Sequence, residues 1–378
     1  MAGKPPSPKV ARTIRNRRLH YFLFCYHLKL TDDWLLEDQS QERANLQLAM
    51  YATHLATGST LHLRSIKAST ISMYVFHIAS LLGRVRSIDP RFVSASDTKL
   101  APVIAKILAE QKRWETVPNR REPFTLELHT QIKTLPSVTL DPLGLDAAMA
   151  NWTLCNLYIG GRGIEWAQTN AQNRCLPNFL CNIFGRAYAF ARDDVQCFTT
   201  TSIHLSIDEA INNPGLVGKI KLRFDEQKNG EHGEWKLFTR NPPRPDLCFV
   251  TNFVAILARH KVLTNASSTH PLSVYRAPDG IGYNITTADV EKVISHAAAT
   301  LYNLDPVRNK DQLALWSSHS LRVGACTTLY SQGFSEMEIK YLLRWKSTAF
   351  MTYLRNLAVT SRRHNVAMND TSTIPNFV

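Results

Sequence analysis

The spacing of apolar residues changes along the chain, and this change limits the folds open to it. Between residues 33 and 120 apolar side chains recur every three or four positions, as on one face of a helix. Residues 186–240 contain short β-prone runs, and the turn signal Lys228–Gly230 separates the last two of them. Helical spacing returns from Asp246 onward. The sequence therefore predicts a mainly α protein with a small antiparallel β-sheet.

Capping residues and glycines predict where several helices begin and end. One helix is predicted to start after Ser40 and to stop at Gly58, and another to open with the reciprocal cap of Ser335 and Glu338. Gly160 is predicted to break a helix that begins near Asp146. The other helices predicted in the first 140 residues span about Ser69–Leu82, Thr98–Arg113 and Thr125–Lys133.

A polar stretch with two prolines divides the chain. Residues 115–123 combine charge and proline with few apolar side chains, a composition typical of a linker. A chain of 378 residues is long enough for two cores. We therefore predict a basic N-terminal arm (1–32), an all-helical domain (33–118), a linker (119–123) and a mixed α and β domain (124–378).

The charge balance points to a polyanionic partner. The net charge is +13 and the isoelectric point is near 9.5, which favours nucleic acid first and an anionic membrane surface second. No apolar run approaches the ~18–20 residues needed to span a bilayer, so we expect no transmembrane segment. The residues predicted to contact DNA are Arg64, Lys67, Arg84 and Arg86, with Lys112 on the same helical clamp and Arg344 in the second domain.

The first 31 residues contain basic but no acidic side chains. The first interpretation is a disordered arm that touches phosphates without sequence preference. A nuclear-import cluster around Arg15–Arg18 and a mitochondrial presequence are the alternatives. The apolar stretch Tyr21–Tyr26 can pack on a core, which argues against a removable presequence.

The seven cysteines are scattered, and none forms a C-x-x-C pair. Neither a zinc site nor a disulfide framework is indicated by this spacing. We expect reduced, mostly buried thiols in an intracellular protein, and no metal.

A His-x-x-Arg pair stands near the C-terminus. Ser317 and Ser318 form a plausible N-cap, and the i,i+3 spacing places His319 and Arg322 on one helix face. A phosphate near that helix start would meet an imidazole donor, a guanidinium fork and the positive end of the helix dipole. The alternative is an ordinary pair on the surface.

Tyr353 is the candidate nucleophile. A phenol has a pKa near ~10, so it attacks at neutral pH only where neighbouring cations stabilise the phenolate and the transition state. Tyr341 and Tyr330 are rivals by proximity, but both lie in amphipathic helices where packing accounts for them.

Two further cations are candidates for the same site. Arg162 lies among glycines that let the backbone approach a phosphate, and Glu165 at i+3 can hold its guanidinium. Lys228 occupies the predicted hairpin turn, from which it can reach into a cleft as a general acid. Lys221 and Lys236 are the alternatives to Lys228.

The order Arg, Lys, His-x-x-Arg, Trp, Tyr within one domain resembles the tyrosine recombinase (phage integrase) family. His319–Ala325, Trp345 and Tyr353–Asn356 are similar to the version in the Cre recombinase branch. Gln227–Gly230 and Leu343–Ser347 are more similar to the recombinases of eukaryotic Crypton-type transposons. The resemblance covers roughly residues 35–365 and implies a helical core-binding domain that clamps DNA, followed by an α+β catalytic domain.

The resemblance also implies a role for each residue. Arg162 and Arg322 would hold the scissile phosphate, with Glu165 in support. His319 would assist proton transfer and Lys228 would be the general acid. Trp345 would donate its indole N–H to a phosphate oxygen, and Tyr353 would form a 3′-phosphotyrosyl bond. Trp345 stands where many members have His, and Val323 where many have a second His.

The predicted protein is a DNA recombinase, a transposase-type integrase in the nucleus, that needs neither cofactor nor ATP. Its implied partner is double-stranded DNA, bound by a homotetramer on two duplexes, with no small-molecule substrate and no membrane. One rival is a type IB topoisomerase, which relaxes supercoils by the same kind of cleavage. The other is a transposon-derived DNA-binding protein that no longer cuts.

Overall fold

The chain divides into two units, which span Met1–Pro118 and Asn119–Val378 in this computed structural model. The structure describes residues 8–30, 34–58, 66–115, 120–168, 189–225, 233–345 and 347–354. Within these ranges no helix is both long and apolar enough to cross a bilayer.

The described residues of the first unit form four helices. They are α1 (Pro8–His27), α2 (Gln41–Ala56), α3 (Ala68–Leu82) and α4 (Pro102–Trp114). The Ser40 side chain caps α2 by accepting a hydrogen bond from the Arg43 amide at 3.2 Å, and Pro102 begins α4. Because Ser40 caps α2, the predicted start of this helix after Ser40 is confirmed.

Helix α1 corrects the expectation of a disordered arm for residues 8–27. Tyr21, Phe24 and Cys25 are buried in the core of the unit, and the Tyr21 and Phe24 rings each lie 5.1 Å from the Tyr51 ring. The physical reason is the apolar i, i+3, i+4 stripe, whose burial offsets the repulsion among the arginines of the same helix.

The second unit is larger and mixes helices with short strands. Its helices are α5 (Leu126–Lys133), α6 (Pro136–Leu140), α7 (Leu145–Ile159), α8 (Gly163–Trp166), α9 (Ile207–Asn212), α10 (Phe249–Thr264), α11 (Thr287–Leu301), α12 (Lys310–Leu313), α13 (Ser318–Ser331), α14 (Glu336–Leu342) and α15 (Met351–Leu354). Helix α7 is buried among α5, α10 and α13. It ends at Gly160 in the left-handed conformation (φ 55°), where the break was predicted.

The strands form one four-stranded antiparallel sheet and one short hairpin. They are β1 (Val195–Phe198), β2 (His204–Leu205), β3 (Lys219–Phe224), β4 (Glu234–Thr239), β5 (Val274–Arg276) and β6 (Gly282–Asn284). The sheet order is β2-β1-β3-β4, and Lys219 pairs with Thr239 while Phe224 pairs with Glu234. The predicted fold class, mainly α with a small antiparallel sheet, is confirmed. The turn between β3 and β4 lies outside the described residues.

Helices α13 and α14 bring the C-terminal motifs together. Ser317 precedes α13 as its N-cap, and Ser335 and Glu338 cap α14 reciprocally, both as predicted. The apolar side chains of α14 divide between the core and the solvent. Ile339 is buried, but Met337 is 81% exposed, because only one narrow face of α14 packs on α13.

Candidate active site

A cleft of about 640 Å³ opens in the second unit. It is lined by Gly161, Arg162, Gly163, Ser318, His319, Arg322, Arg344, Trp345, Ser347 and Tyr353. These residues come from the loop after α7, the start of α13 and the chain that follows α14. The cleft therefore unites five of the six residues predicted to carry out the chemistry.

Arg162 is held by Glu165. The left-handed Gly160 turns the chain out of α7, so that Arg162 immediately precedes α8. The Arg162 amide donates to Glu165 Oε2 at 2.8 Å, and its Nη1 donates to Oε1 at 3.0 Å. The guanidinium keeps a partly exposed position at the cleft. It can therefore meet an anion while its orientation is fixed.

Arg344 forms a buried ion pair. Its side chain is 1% exposed and pairs with Glu165, with Nη1 at 3.2 Å from Oε1 and Nη2 at 3.1 Å from Oε2. Nη2 also donates to the Ile159 carbonyl at 3.3 Å, and the guanidinium lies 3.5 Å from the Phe224 ring centroid. The predicted DNA contact of Arg344 stays a prediction, and in this structure its charge is buried in the ion pair with Glu165.

The same interactions set the charge of Glu165. Burial alone raises the pKa of this carboxyl, but the charge and hydrogen bonds of Arg344, followed by those of Arg162, outweigh it and leave the pKa below its ordinary range. Glu165 is therefore ionised at neutral pH and serves two arginines at once.

The Arg322 guanidinium is held by two backbone carbonyls. Nη2 donates to the Leu343 carbonyl at 3.1 Å, and Nη1 donates to the Gly160 carbonyl. The guanidinium carbon lies 4.4 Å from the Trp345 ring centroid. Burial, followed by repulsion from Arg162, lowers the pKa of Arg322 to about 10, so it stays protonated at neutral pH.

His319 and Tyr353 are in hydrogen-bond contact. The His319 Nε2 and the Tyr353 hydroxyl oxygen are 2.8 Å apart. Desolvation, followed by the charges of Arg322 and Arg121, lowers the pKa of His319. Desolvation also raises the pKa of Tyr353, although Arg322 opposes that effect. At neutral pH the pair is thus a neutral imidazole beside a protonated phenol, an arrangement suited to proton transfer between them.

Trp345 packs beside Tyr353 and carries a buried donor. Its ring packs 5.7 Å from the Tyr353 ring and 5.8 Å from the Phe350 ring. The indole Nε1 is buried and has no hydrogen-bond partner among the described residues. In a cleft that Trp345 lines, this N–H is suited to an oxygen acceptor.

The sixth predicted residue, Lys228, lies outside the described residues. Its two alternatives are described, and neither lines the cleft. Lys236 Nζ donates to the Tyr341 carbonyl at 3.1 Å and pairs with Glu234 at 2.8 Å. Lys221 Nζ lies 5.3 Å from the Phe198 ring centroid.

The residues predicted for the helical clamp fall into three groups. Lys67, Arg84 and Lys112 are exposed on the first unit, while Arg64 lies outside the described residues. Arg86 has a structural role that was not predicted. Its guanidinium donates to the carbonyls of Leu36 and of Gln39, the latter at 2.9 Å, and so closes the loop before α2. The predicted DNA contact of Arg86 stays a prediction.

Two residues that contribute to the site were not indicated by the sequence motifs. Ser318 lines the cleft beside His319, although only its capping role was considered. Arg121 acts on the pKa of His319 from 198 positions earlier in the chain, a relation that no local spacing can reveal.

Solved structures similar to the chain are those of Tn1549 transposon integrase and XerA recombinase. The integrase in complex with transposon right end DNA is 11% identical with a TM-score of 0.44, and the match covers 86% of this chain and 85% of that chain. The integrase in complex with a circular intermediate DNA is 10% identical with a TM-score of 0.44, and the match covers 93% and 98%. XerA recombinase is 11% identical with a TM-score of 0.35, and the match covers 96% and 93%. No family model and no curated protein matches the sequence.

The Crypton-type resemblance concerns short phrases around Lys228 and Trp345, and it stays a prediction.

Proposed function

We propose that this chain is a tyrosine recombinase that breaks and rejoins DNA through a covalent bond to Tyr353. The observation that carries the proposal is the 2.8 Å contact between the His319 Nε2 and the Tyr353 hydroxyl, in a cleft also lined by Arg162 and Arg322. A phenol with a raised pKa needs both a proton acceptor and nearby positive charge, and this cleft supplies both.

In the proposed reaction the Tyr353 oxygen attacks the scissile phosphorus while its proton passes to the His319 Nε2. The bond between phosphorus and the 5′-oxygen breaks, which leaves a 3′-phosphotyrosyl bond. Arg162 and Arg322 balance the charge on the nonbridging oxygens in the transition state, and the Trp345 N–H donates to one of them. We assign protonation of the leaving 5′-oxygen to Lys228. A 5′-hydroxyl of another strand then attacks the phosphotyrosyl bond and restores Tyr353.

The proposed partner is double-stranded DNA in the nucleus, consistent with the +13 net charge. Two rounds of strand exchange require four cleavage sites, so we propose a tetramer on two duplexes. The exposed Lys67, Arg84 and Lys112 of the first unit are the proposed phosphate contacts.

The test is covalent trapping. The protein is incubated with a pool of nicked duplex oligonucleotides in which cleavage releases a short fragment that lies 3′ of the scissile phosphate and carries a free 5′-hydroxyl. The products are resolved on a denaturing gel. We expect an adduct that peptide mass mapping places at Tyr353, and no adduct with Tyr353→Phe, because that variant lacks only the attacking oxygen.

The matched control is Tyr341→Phe, which removes the hydroxyl of an exposed tyrosine on α14. It should form the adduct at the parental rate. An adduct at Tyr341 would retain the class of chemistry but overturn the choice of nucleophile. Unchanged DNA binding without any adduct in the parent would favour the protein that binds DNA and no longer cuts.

Acid should slow cleavage through His319. Only the neutral imidazole accepts the phenolic proton, and the pKa of His319 lies below its ordinary value of about 6.5. The single-turnover rate should therefore be level near neutral pH and decline as the pH falls through that lowered pKa. His319→Gln should be slower throughout and lack this decline. An identical acid limb in His319→Gln would show that another group takes the proton.

A further inference from the structure

The segment at residues 120–124, here named the strap, lies against the start of α13. The Glu122 amide donates to the Leu315 carbonyl at 3.1 Å, and the Phe124 amide donates to the Ser320 carbonyl at 2.9 Å. These two acceptors flank His319 in the sequence. The strap is therefore tied by its own backbone to both sides of the histidine.

The packing between strap and helix is close. Gly324 on α13 faces the backbone of Phe124, and a Cβ at this position would collide with the Phe124 carbonyl. Phe124 itself is buried in the core of the unit. The strap is thus held mainly by its backbone and by Phe124, and of its exposed side chains Arg121 adds a bond from Nη1 to the Ala314 carbonyl.

One of those exposed side chains reaches toward the nucleophile. Arg120 Nη1 donates to the Thr352 carbonyl oxygen at 3.2 Å. The carbonyl carbon of Thr352 is bonded directly to the Tyr353 amide nitrogen, so fixing this carbonyl restricts the backbone that carries the phenol. Arg120 and Thr352 are 232 positions apart, and the strap brings the guanidinium to the carbonyl.

The described part of α15 is a single turn, Met351–Leu354, and one turn contributes little helical stability of its own. Phe350 and Leu354 hold this turn from the core side, in a cluster with Cys326 and Leu343. His319 contacts the hydroxyl at the tip of Tyr353. A cation near the carbonyls of such a turn also complements its dipole.

We infer that Arg120 is a positioning residue for Tyr353. It holds the nucleophile at the distance from His319 and the two cleft arginines that cleavage requires, and it does not touch the phosphate. The inference rests on the proposed function for its effect on the reaction, but its effect on the backbone of α15 is independent of that function.

The competing explanation is that Arg120 contacts a DNA phosphate. Loss of a phosphate contact weakens binding and lowers its salt dependence, but leaves the rate at saturating DNA unchanged. Loss of a positioning contact lowers the rate at saturation, because small displacements of a reacting group slow the reaction. The two explanations therefore separate in one set of measurements.

The experiment compares Arg120→Ala, Arg120→Lys and the parent. Arg244→Ala is the matched control, since it removes an equally charged, exposed side chain that pairs with Asp246 and does not line the cleft. Three quantities are measured: the single-turnover rate of adduct formation at saturating nicked duplex, DNA affinity at two salt concentrations, and amide hydrogen exchange of residues 348–354 without DNA.

We expect Arg120→Ala to form the adduct roughly tenfold more slowly at saturation, the scale of one lost hydrogen bond to a charged group. Its amides at 348–354 should exchange faster, and Arg120→Lys should recover most of both properties because lysine can still donate to the carbonyl. Arg244→Ala should match the parent in rate and in exchange.

A parental rate at saturation combined with weaker affinity would overturn the inference in favour of a phosphate contact. Parental hydrogen exchange in Arg120→Ala would overturn it as well, since the backbone of α15 would then be held without Arg120. If the parent forms no adduct, the proposed function fails, and the exchange measurement still decides whether Arg120 restrains the segment.

Discussion

Arg322→Gln is expected to slow adduct formation by ~10²–10³-fold, about 3–4 kcal/mol of transition-state stabilisation. The guanidinium is buried at the cleft, and its bonds to the Gly160 and Leu343 carbonyls fix the orientation of its remaining donors. Negative charge that develops on a phosphate in the cleft therefore meets a donor that needs no reorganisation. Glutamine keeps a donor but loses the charge.

The measurement is the single-turnover rate at saturating nicked duplex, with urea unfolding of each variant in parallel. The unfolding measurement is needed because Arg322→Gln removes the charged donor to the Gly160 and Leu343 carbonyls, a loss expected to lower the stability of the fold. Arg162→Gln is the companion variant, since Arg162 is more exposed and its side chain bonds to Glu165 rather than to backbone carbonyls among the described residues. A parental cleavage rate in either variant would contradict the assignment of the site.

Glu165→Ala is expected to lower the free energy of unfolding by about 3–5 kcal/mol, the usual cost of breaking a buried ion pair. The Arg344 side chain is 1% exposed and the Glu165 side chain is 4% exposed, so the substitution leaves a guanidinium buried without its carboxylate. Arg162 loses its partner in the same variant. We therefore expect loss of cleavage together with loss of stability.

Urea unfolding measures the first effect, and the double variant Glu165→Leu, Arg344→Met separates it from the second. Replacing both charges by apolar side chains removes the unpaired charge, so stability should largely return while Arg162 stays unsupported and cleavage stays slow. A Glu165→Ala variant as stable as the parent would show that Arg344 is solvated in solution.

The ion pair of Glu165 and Arg344 also makes the stability depend on pH. Because the pKa of Glu165 is lowered in the folded protein, its contribution is present above the unfolded pKa of about 4.5 and is lost as the pH falls through the folded value. Stability at neutral pH should thus be insensitive to small pH changes at this group.

Local signals in the sequence predicted the local structure well. The caps at Ser40, Ser317 and Ser335 and the break at Gly160 depend on neighbouring residues, and each is found where it was expected. The motif residues of the C-terminal sixty positions meet in one cleft for a similar reason, since His319, Trp345 and Tyr353 lie on adjoining elements.

Interactions between distant positions were not predictable in this way. The ion pair of Arg344 was not foreseen because its partner Glu165 lies 179 positions away, and the loop contacts of Arg86 were not foreseen because its acceptors lie in another loop. Residues 8–27 were expected to be disordered because their positive charge is evident in the local sequence. The core in which Tyr21 is buried is formed by residues distant in the sequence, so it was not evident. Strands β1 and β2 are too short for their alternation to be recognised.

Arg162, Arg322 and Arg344 all line the cleft, and Glu165 pairs with Arg162 and Arg344, whereas Arg322 is bonded to backbone carbonyls. Burial and then repulsion from Arg162 lower the pKa of Arg322, so positive charge is concentrated where the scissile phosphate is proposed to lie. A phosphodiester in this position acts as a structural counter-ion, and its binding relieves repulsion that the fold itself maintains. On the proposed function, we therefore expect DNA binding to raise the stability of the second unit.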